Sequence, residues 1–292
     1  MLDLRSADSP TRDRVEGTPL QRARGVARVA LSHDAEAPRT RTRIAGLRQE
    51  GCGKAFLPRV AGDPEVVFLN TSGGLTGGDR LDYAVSLAAG GRATATTQTA
   101  ERAYAVLPGA VPGEIAVTLS AGDGATLHWL PQETILFENS ALARRTRVDL
   151  GREARLLMCE MIVLGRAAMG ETVTRPRLHD ARAVYRDGRP VLVDAVEIGP
   201  ELLARPEAPA GLAGARAVAL VALVAPGAEA ALSGVRAVLD ATTGAGLRAG
   251  ASAWDGRCLV RLAAPDAHPL KLAVARLLRH LGGGALPRVW QV

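Results

Sequence analysis

The sequence predicts a mainly β fold with a few α-helices, one of them near the C-terminus. Three observations lead there. Apolar residues alternate at period two through much of residues 25–165, a strand–turn–strand pattern recurs three times, and one clean helical stripe stands at Pro269–Leu281. Hydrophobic residues make up 47% of the 292 and aromatic ones only 3%, so the core has to be built mostly of Val, Leu and Ala.

Residues 1–20 are polar, carry Pro10 and Pro19 and show no periodicity; they are expected to be a disordered extension. No clean linker follows, so residues 21–292 are expected to form a single β-rich domain. The segment Phe68–Asp79 places four glycines and a carboxylate between two apolar runs. It superficially resembles a phosphate loop, but a phosphate loop opens a helix. Here Leu81, Tyr83, Val85 and Leu87 follow at period two, with no Gly-Lys-Ser/Thr and no GxGxxG, so the loop joins two strands and presents Asp79. Val85–Ala95, Val117–Leu127 and, more loosely, Val148–Leu156 then repeat one pattern: an alternating strand, a Gly-rich turn and a second strand. Repetition at that period predicts stacked hairpins that bury one another's apolar faces. In the second half, Ala217–Val224 reads as a buried strand and Glu229–Leu239 as a helix stopped by Thr242–Gly244. Trp254-Asp-Gly-Arg257 reads as an Asp-Gly hairpin. In the last helix Leu270, Val274, Leu277, Leu278 and Leu281 share a face, Pro269 suits the first turn, and Gly282–Gly284 end it.

Composition excludes several function classes. The net charge is +6 and the isoelectric point near 9.9, with ten arginines in residues 1–48. Yet the whole chain holds only two lysines, Lys54 and Lys271, and no aromatic residues interleave with the basic ones as stacking platforms. The arginine excess reads as a compositional habit, and no nucleic-acid partner is expected. No apolar run reaches the roughly 18–20 residues of a membrane helix. The N-terminus has no apolar signal block and carries Asp3, Asp8, Asp13 and Glu16, so a cytoplasmic protein with no membrane partner is expected. Cys52, Cys159 and Cys258 are odd in number and far apart, which suits a reducing compartment, and the latter two sit in apolar runs as buried thiols.

The chemistry-bearing residues are carboxylates. The five histidines never pair at ligand spacing, and no GxSxG elbow or HExxH helix is present, so no catalytic residue is assigned. Asp79 sits in the Gly-rich loop, Glu133 inside the apolar run Trp129–Phe137, Glu160 inside Leu156–Leu164, and Glu171 after Gly165–Gly170. Each can be structural: a turn residue capping its own backbone, or an acid paired with arginine. Acids beside apolar or Gly-rich segments can also share a polar interior, where oxygen ligands hold a divalent ion weakly and suit passage better than storage.

The segments Asn70–Asp79, Thr97–Tyr104, Leu130–Phe137 and Leu164–Glu171, in that order, resemble the urease accessory protein UreD family, called UreH in some organisms. The resemblance covers most of the chain from about residue 20 onward, with its specific motifs in 66–171. It implies a layered, partly helix-like stack of strands with two helices. It also implies a non-enzymatic chaperone that binds urease apoprotein and, with UreF and the GTPase UreG, installs nickel. No cofactor is held tightly on that reading; nickel(II) is in transit through an internal water-filled tunnel. Asp79, Glu133 and Glu171 match family acids associated with the route, while Glu160 and Asp82 join them by environment only. After Phe137 the chain reads Glu138-Asn-Ser where an acid followed by glycine and alanine is expected, so a different turn is anticipated there. The residues alone leave two other classes open, a hydrolase or a small-ligand-binding β-protein with a dispersed site.

Overall fold

The computed structural model describes residues 21–34, 41–242, 244 and 246–291; the extension expected at 1–20 and Thr243 of the expected helix stop lie outside them. β1 (Arg24–Asp34) and β2 (Arg41–Gly51) pair antiparallel, and β3 (Gly53–Phe56) and β4 (Glu65–Asn70) carry the chain into a second sheet. The chain then winds between the two sheets. β5 (Arg80–Leu87) lies in the first and β6 (Arg92–Thr97) in the second; after the short β7 (Glu101–Ala103), β8 (Gly113–Ala121) and β9 (Thr126–Leu130) do the same. After β10 (Thr134–Leu136), β11 (Ala141–Leu150) and β12 (Arg155–Leu164) make a third coil. β13 (Arg177–Arg186) and β14 (Arg189–Ile198) finish the first sheet; α1 (Pro200–Leu203) follows them. β15 (Ala217–Val224), α2 (Leu232–Asp240), β16 (Arg248–Trp254), β17 (Arg257–Ala264) and α3 (Ala267–Gly282) complete the second sheet and its helical cover. The first sheet runs β14-β13-β11-β8-β5-β1-β2 and the second β16-β17-β15-β12-β9-β6-β4-β3, with β7 and β10 branching from β12.

The repeat stacks as the sequence suggests, but its strands pair between copies. β5, β8 and β11 are parallel neighbours in one sheet, and β6, β9 and β12 in the other. The turns form corners that stack as well: Gly122 N–H donates to Leu87 O, and Gly151 N–H to Ala121 O. The sequence alignment of Val85 with Val117 is two residues out of register, since Val85 lies beside Leu119, and Leu119 beside Val148. A slip of two returns every side chain to the same face, so period-two alternation cannot detect it.

Two cores follow from the strand pattern. On β12, Leu156, Met158, Ile162 and Leu164 face the space between the sheets, while Leu157, Cys159, Met161 and Val163 face the helices. β15 is buried on both faces in the same way, which is why it reads as a continuous apolar run. Helix α3 seats Leu270, Val274, Leu277, Leu278 and Leu281 on β12, β15 and β17. Asp266 caps it by accepting His268 N–H at 2.8 Å, and Gly283 closes it at φ +68°. The Asp-Gly turn between β16 and β17 is the expected hairpin, with Asp255 and Gly256 both at positive φ. Among the described residues no helix is long and apolar enough to cross a membrane.

Candidate functional site

The four motif segments, separated in sequence, lie side by side at one edge of the stack. Leu75 N–H donates to Arg102 O, and Tyr104 N–H to Leu75 O, joining the Gly-rich loop to β7. β7 pairs in parallel with β10, and β10 with β12, so that Ala103, Leu136 and Leu164 fall in one row. Gly165 N–H then donates to Leu136 O. The glycines allow this closeness: a Cβ on Gly74, whose φ is +154°, would meet the Tyr104 ring at 2.3 Å.

Each of the acids singled out in the sequence has partners. Asp79 is buried, and its two oxygens accept Ala23 N–H and Thr76 N–H, each at 2.8 Å. Glu133 pairs with Lys271 of α3 at 3.1 Å. Glu171 accepts Arg166 Nε–H at 2.9 Å and the backbone N–H groups of Arg166 and Glu138. Partial burial pushes its carboxyl up, but these donors outweigh that and hold it below the ordinary range. Asp82 lies on the outer face of the first sheet beside Arg80 Nε at 3.3 Å, away from the other acids. Among the described residues no three His, Cys, Asp or Glu side chains gather into a set that could hold a metal ion.

The Glu138-Asn-Ser turn explains its departure from the expected pattern. Asn139 stands at φ +59°, the left-handed conformation a glycine would take and one asparagine tolerates. Ser140 is fully buried and its hydroxyl has no hydrogen-bond partner among the described residues. Glu138 accepts Thr174 N–H at 2.6 Å and Arg175 N–H at 3.0 Å, with both side chains adding donors. Slight desolvation works the other way, yet these bonds bring its carboxyl down to about 2.

Sequence reasoning passed over two features. The first is Glu101, within the Thr97–Tyr104 motif. It accepts Arg102 N–H at 3.0 Å and has the Asn70 amide nitrogen 3.4 Å from both oxygens, beside a cavity of about 30 Å³; burial raises its carboxyl above the ordinary range. The second is an ionic chain between the sheets around Glu160. Arg144 Nη1 lies 2.8 Å from Glu160 Oε2, and Arg144 donates to both oxygens of Asp180 at 2.9 and 2.7 Å. Asp180 also contacts Arg182, which pairs with Asp194 at 2.6 Å; Asp194 in turn meets Arg261. Trp129 Nε1–H donates to Glu160 Oε1 at 3.2 Å. Burial drives the Glu160 carboxyl up despite Arg144, whereas Arg144 and Arg182 overcome burial at Asp180 and hold it low. Three anions alternate with three cations, the last of them, Arg261, reaching in from the surface, so every buried charge has an opposite neighbour. Glu160 and Arg182 reach a largely apolar cavity of about 440 Å³ between β13–β14 and β15–β17, covered by Leu202 and Leu212. The signal for this chain is parity: Arg144 alternates in phase with Leu142 and Val148, and Asp180 and Arg182 with Leu178 and Val184.

Comparison with known proteins agrees with the stacked motifs. The family model described as UreD urease accessory protein matches residues 23–291. A protein of Cereibacter sphaeroides named urease accessory protein UreD is 54% identical over 273 residues, covering 93% of this chain and 96% of that one. Proteins of the same name from Dinoroseobacter shibae and Jannaschia sp. are 50% and 46% identical, the first over 94% of both chains and the second over 100% of both. With four ordered motifs hydrogen-bonded into one edge and a match over nearly its whole described length, the chain belongs to the UreD urease accessory protein family.

Proposed function

We propose that this chain is a cytoplasmic accessory chaperone that binds urease apoprotein and, with UreF-like and UreG-like proteins, enables nickel to enter the urease active site. The observation that carries this reading is the hydrogen-bonded convergence of the four family motif segments on one edge of the stack. The chain contributes no catalytic step of its own. Nickel(II) is its cargo, moving along an internal tunnel from one oxygen donor to the next.

The chemistry of the acids supports passage. Carboxylates without nitrogen or sulfur ligands hold nickel weakly, so residence at each is short. Each acid also has a native partner that takes it back when the ion leaves: Lys271 for Glu133, Arg166 for Glu171, backbone N–H groups for Asp79. Exchange of an existing cation for nickel costs less than exposing a bare carboxylate. Glu160, already paired with Arg144, takes a lesser part in the route, and Asp82, on the outer face away from the other acids, has no place on an internal one.

The test is complementation. The chain replaces the native accessory gene in cells carrying urease, beside Asp79→Asn, Glu133→Gln and Glu171→Gln variants, while pull-down follows UreF-like protein and urease. The expected result is active urease with the wild-type chain, and lower activity with intact complexes for the variants. Variants that lose the complex would assign the acids to docking or folding. A wild-type chain that neither activates urease nor binds these partners overturns the reading.

A further inference from the structure

The helical layer that covers the second sheet packs on β12, β15 and β17 and stops short of the β4–β3 edge. There the outer face stays open as a groove of about 430 Å³, floored by Val67 and Leu69 and walled by Phe56, Pro58, Val60 and Val289. Phe56 is one of only three phenylalanines in the chain and is 63% exposed, whereas Phe68 and Phe137 are buried. Around the corner Ile44 shares a second hollow with Pro58 and Val60, and Leu47 adds a further exposed apolar side chain on β2. Large apolar side chains left open together, on the terminal strands of both sheets, mark an interaction surface.

Charge says what kind. Arg59 and Arg288 line the groove, and Arg43 and Lys54 lie on the adjoining strands. None of these four side chains has an ion-pair or hydrogen-bond partner among the described residues. The neighbouring acids are mostly spent: Glu50 pairs with Arg48 at 2.6 Å and Asp63 with Arg92 at 3.0 Å, leaving Glu65 alone in the groove. Among the described residues, Arg59 and Arg288 at the slot, with Arg43 and Lys54 on the adjoining strands, thus outnumber the one carboxylate there, Glu65. A phosphate backbone could engage the cations but has nothing to fill the slot.

We propose that the β2–β3 edge with the 57–64 loop docks an acidic, apolar-bearing segment of a protein partner. An apolar side chain enters between Phe56 and Val289, and carboxylates on either side reach Arg59 and Arg288. The proposal rests on the preceding functional reading in one respect: the partner is drawn from the urease apparatus.

Site-specific photo-crosslinking tests it. The full chain is produced in cells with urease and its other accessory proteins, carrying p-benzoylphenylalanine at position 56 or, as a control at the far edge of the first sheet, at position 193, where Val193 is also exposed. The expected result is a crosslink from position 56 alone, to a urease-apparatus protein, in a segment richer in Asp and Glu than in Lys and Arg. Arg59→Glu with Arg288→Glu should lower its yield about tenfold or more, the scale of a lost interface anchor, with the circular dichroism spectrum unchanged. The proposal is overturned if position 56 gives no crosslink in cells where the wild-type chain activates urease. It is equally overturned by a crosslink to a basic segment, a second copy, nucleic acid or lipid, or by a yield that survives charge reversal. If the wild-type chain activates no urease, the functional reading falls first and takes this partner with it.

Discussion

Replacing Arg144 with methionine should cost far more than losing one surface arginine. Its guanidinium lies 2.8 Å from Glu160, grips both oxygens of Asp180 and donates to Thr134 Oγ1 at 3.0 Å, all buried between the sheets. Methionine fills a similar length but leaves Glu160 without a counter-charge and Asp180 with Arg182 alone. Breaking a buried pair in this way costs about 3–5 kcal/mol. At a urea slope of about 2–3 kcal/mol/M, the unfolding midpoint should fall by roughly 1–2.5 M. The double variant Arg144→Met/Glu160→Gln makes the argument sharp. It removes one charge of each sign, keeps an acceptor for the Trp129 indole, and leaves Asp180, Arg182, Asp194 and Arg261 alternating in sign. Its cost should be only about 1–2 kcal/mol, less than that of the single change. Urea titrations followed by circular dichroism give all the midpoints. The reasoning is refuted if Arg144→Met costs under about 1 kcal/mol, or if the double variant is no more stable than the single.

Three further predictions follow from the same geometry. Glu138 falls from the ordinary 4.5 to about 2 in the fold, so its contribution is fully present above 4.5 and is lost as pH falls towards 2; melting between pH 5 and 2.5 should decline less steeply for Glu138→Gln than for wild type. At the adjoining turn, Asn139→Gly should be tolerated while Asn139→Ala loses about 1–2 kcal/mol to left-handed strain, and Ser140→Ala, which removes an unpartnered hydroxyl, should be neutral or stabilising by about 1 kcal/mol, all read by urea unfolding. Thiol labelling of the native chain should reach Cys52 alone, because Cys159 and Cys258 are buried and burial raises both thiols; three fast-reacting thiols would contradict the two-core packing.

The sequence made visible what depends on local chemistry. Leu270 to Leu281 at helical spacing, Asp255-Gly256 between alternating strands and the continuous run Ala217–Val224 each specify their element without tertiary information, and each formed as read. Strand partnership is different, because whether β5 pairs with β6 or with β8 depends on where the corner at Gly90–Gly91 directs the chain, and both arrangements bury the same alternating face. The ionic chain was hidden for another reason. Arginine is so abundant here that Arg144 and Arg182 read as composition, and only their phase with buried leucines and valines separates them from surface neighbours such as Arg145. Of the acids, Asp79 and Glu171 were singled out for their glycine neighbours, and those glycines do shape the edge that holds them. Glu101 escaped notice because it stands in no continuous apolar or Gly-rich run, with polar Thr97–Thr99 before it and Arg102 after it; it is half-buried where β4, β7 and the Gly-rich loop come together.

The most direct test of the account is the nickel content of urease matured with this chain. Urease co-produced with UreF-like and UreG-like proteins is purified after maturation with the wild-type chain, without it, and with the Glu133→Gln/Glu171→Gln variant, and metal per active site is measured beside recovery of the intact accessory complex. The account predicts nickel-loaded urease only with the wild-type chain, and poorly loaded urease from a variant that still assembles. Full loading by the assembled variant would contradict the assignment of these acids to the route, and equal loading with and without the chain would contradict its role in nickel delivery.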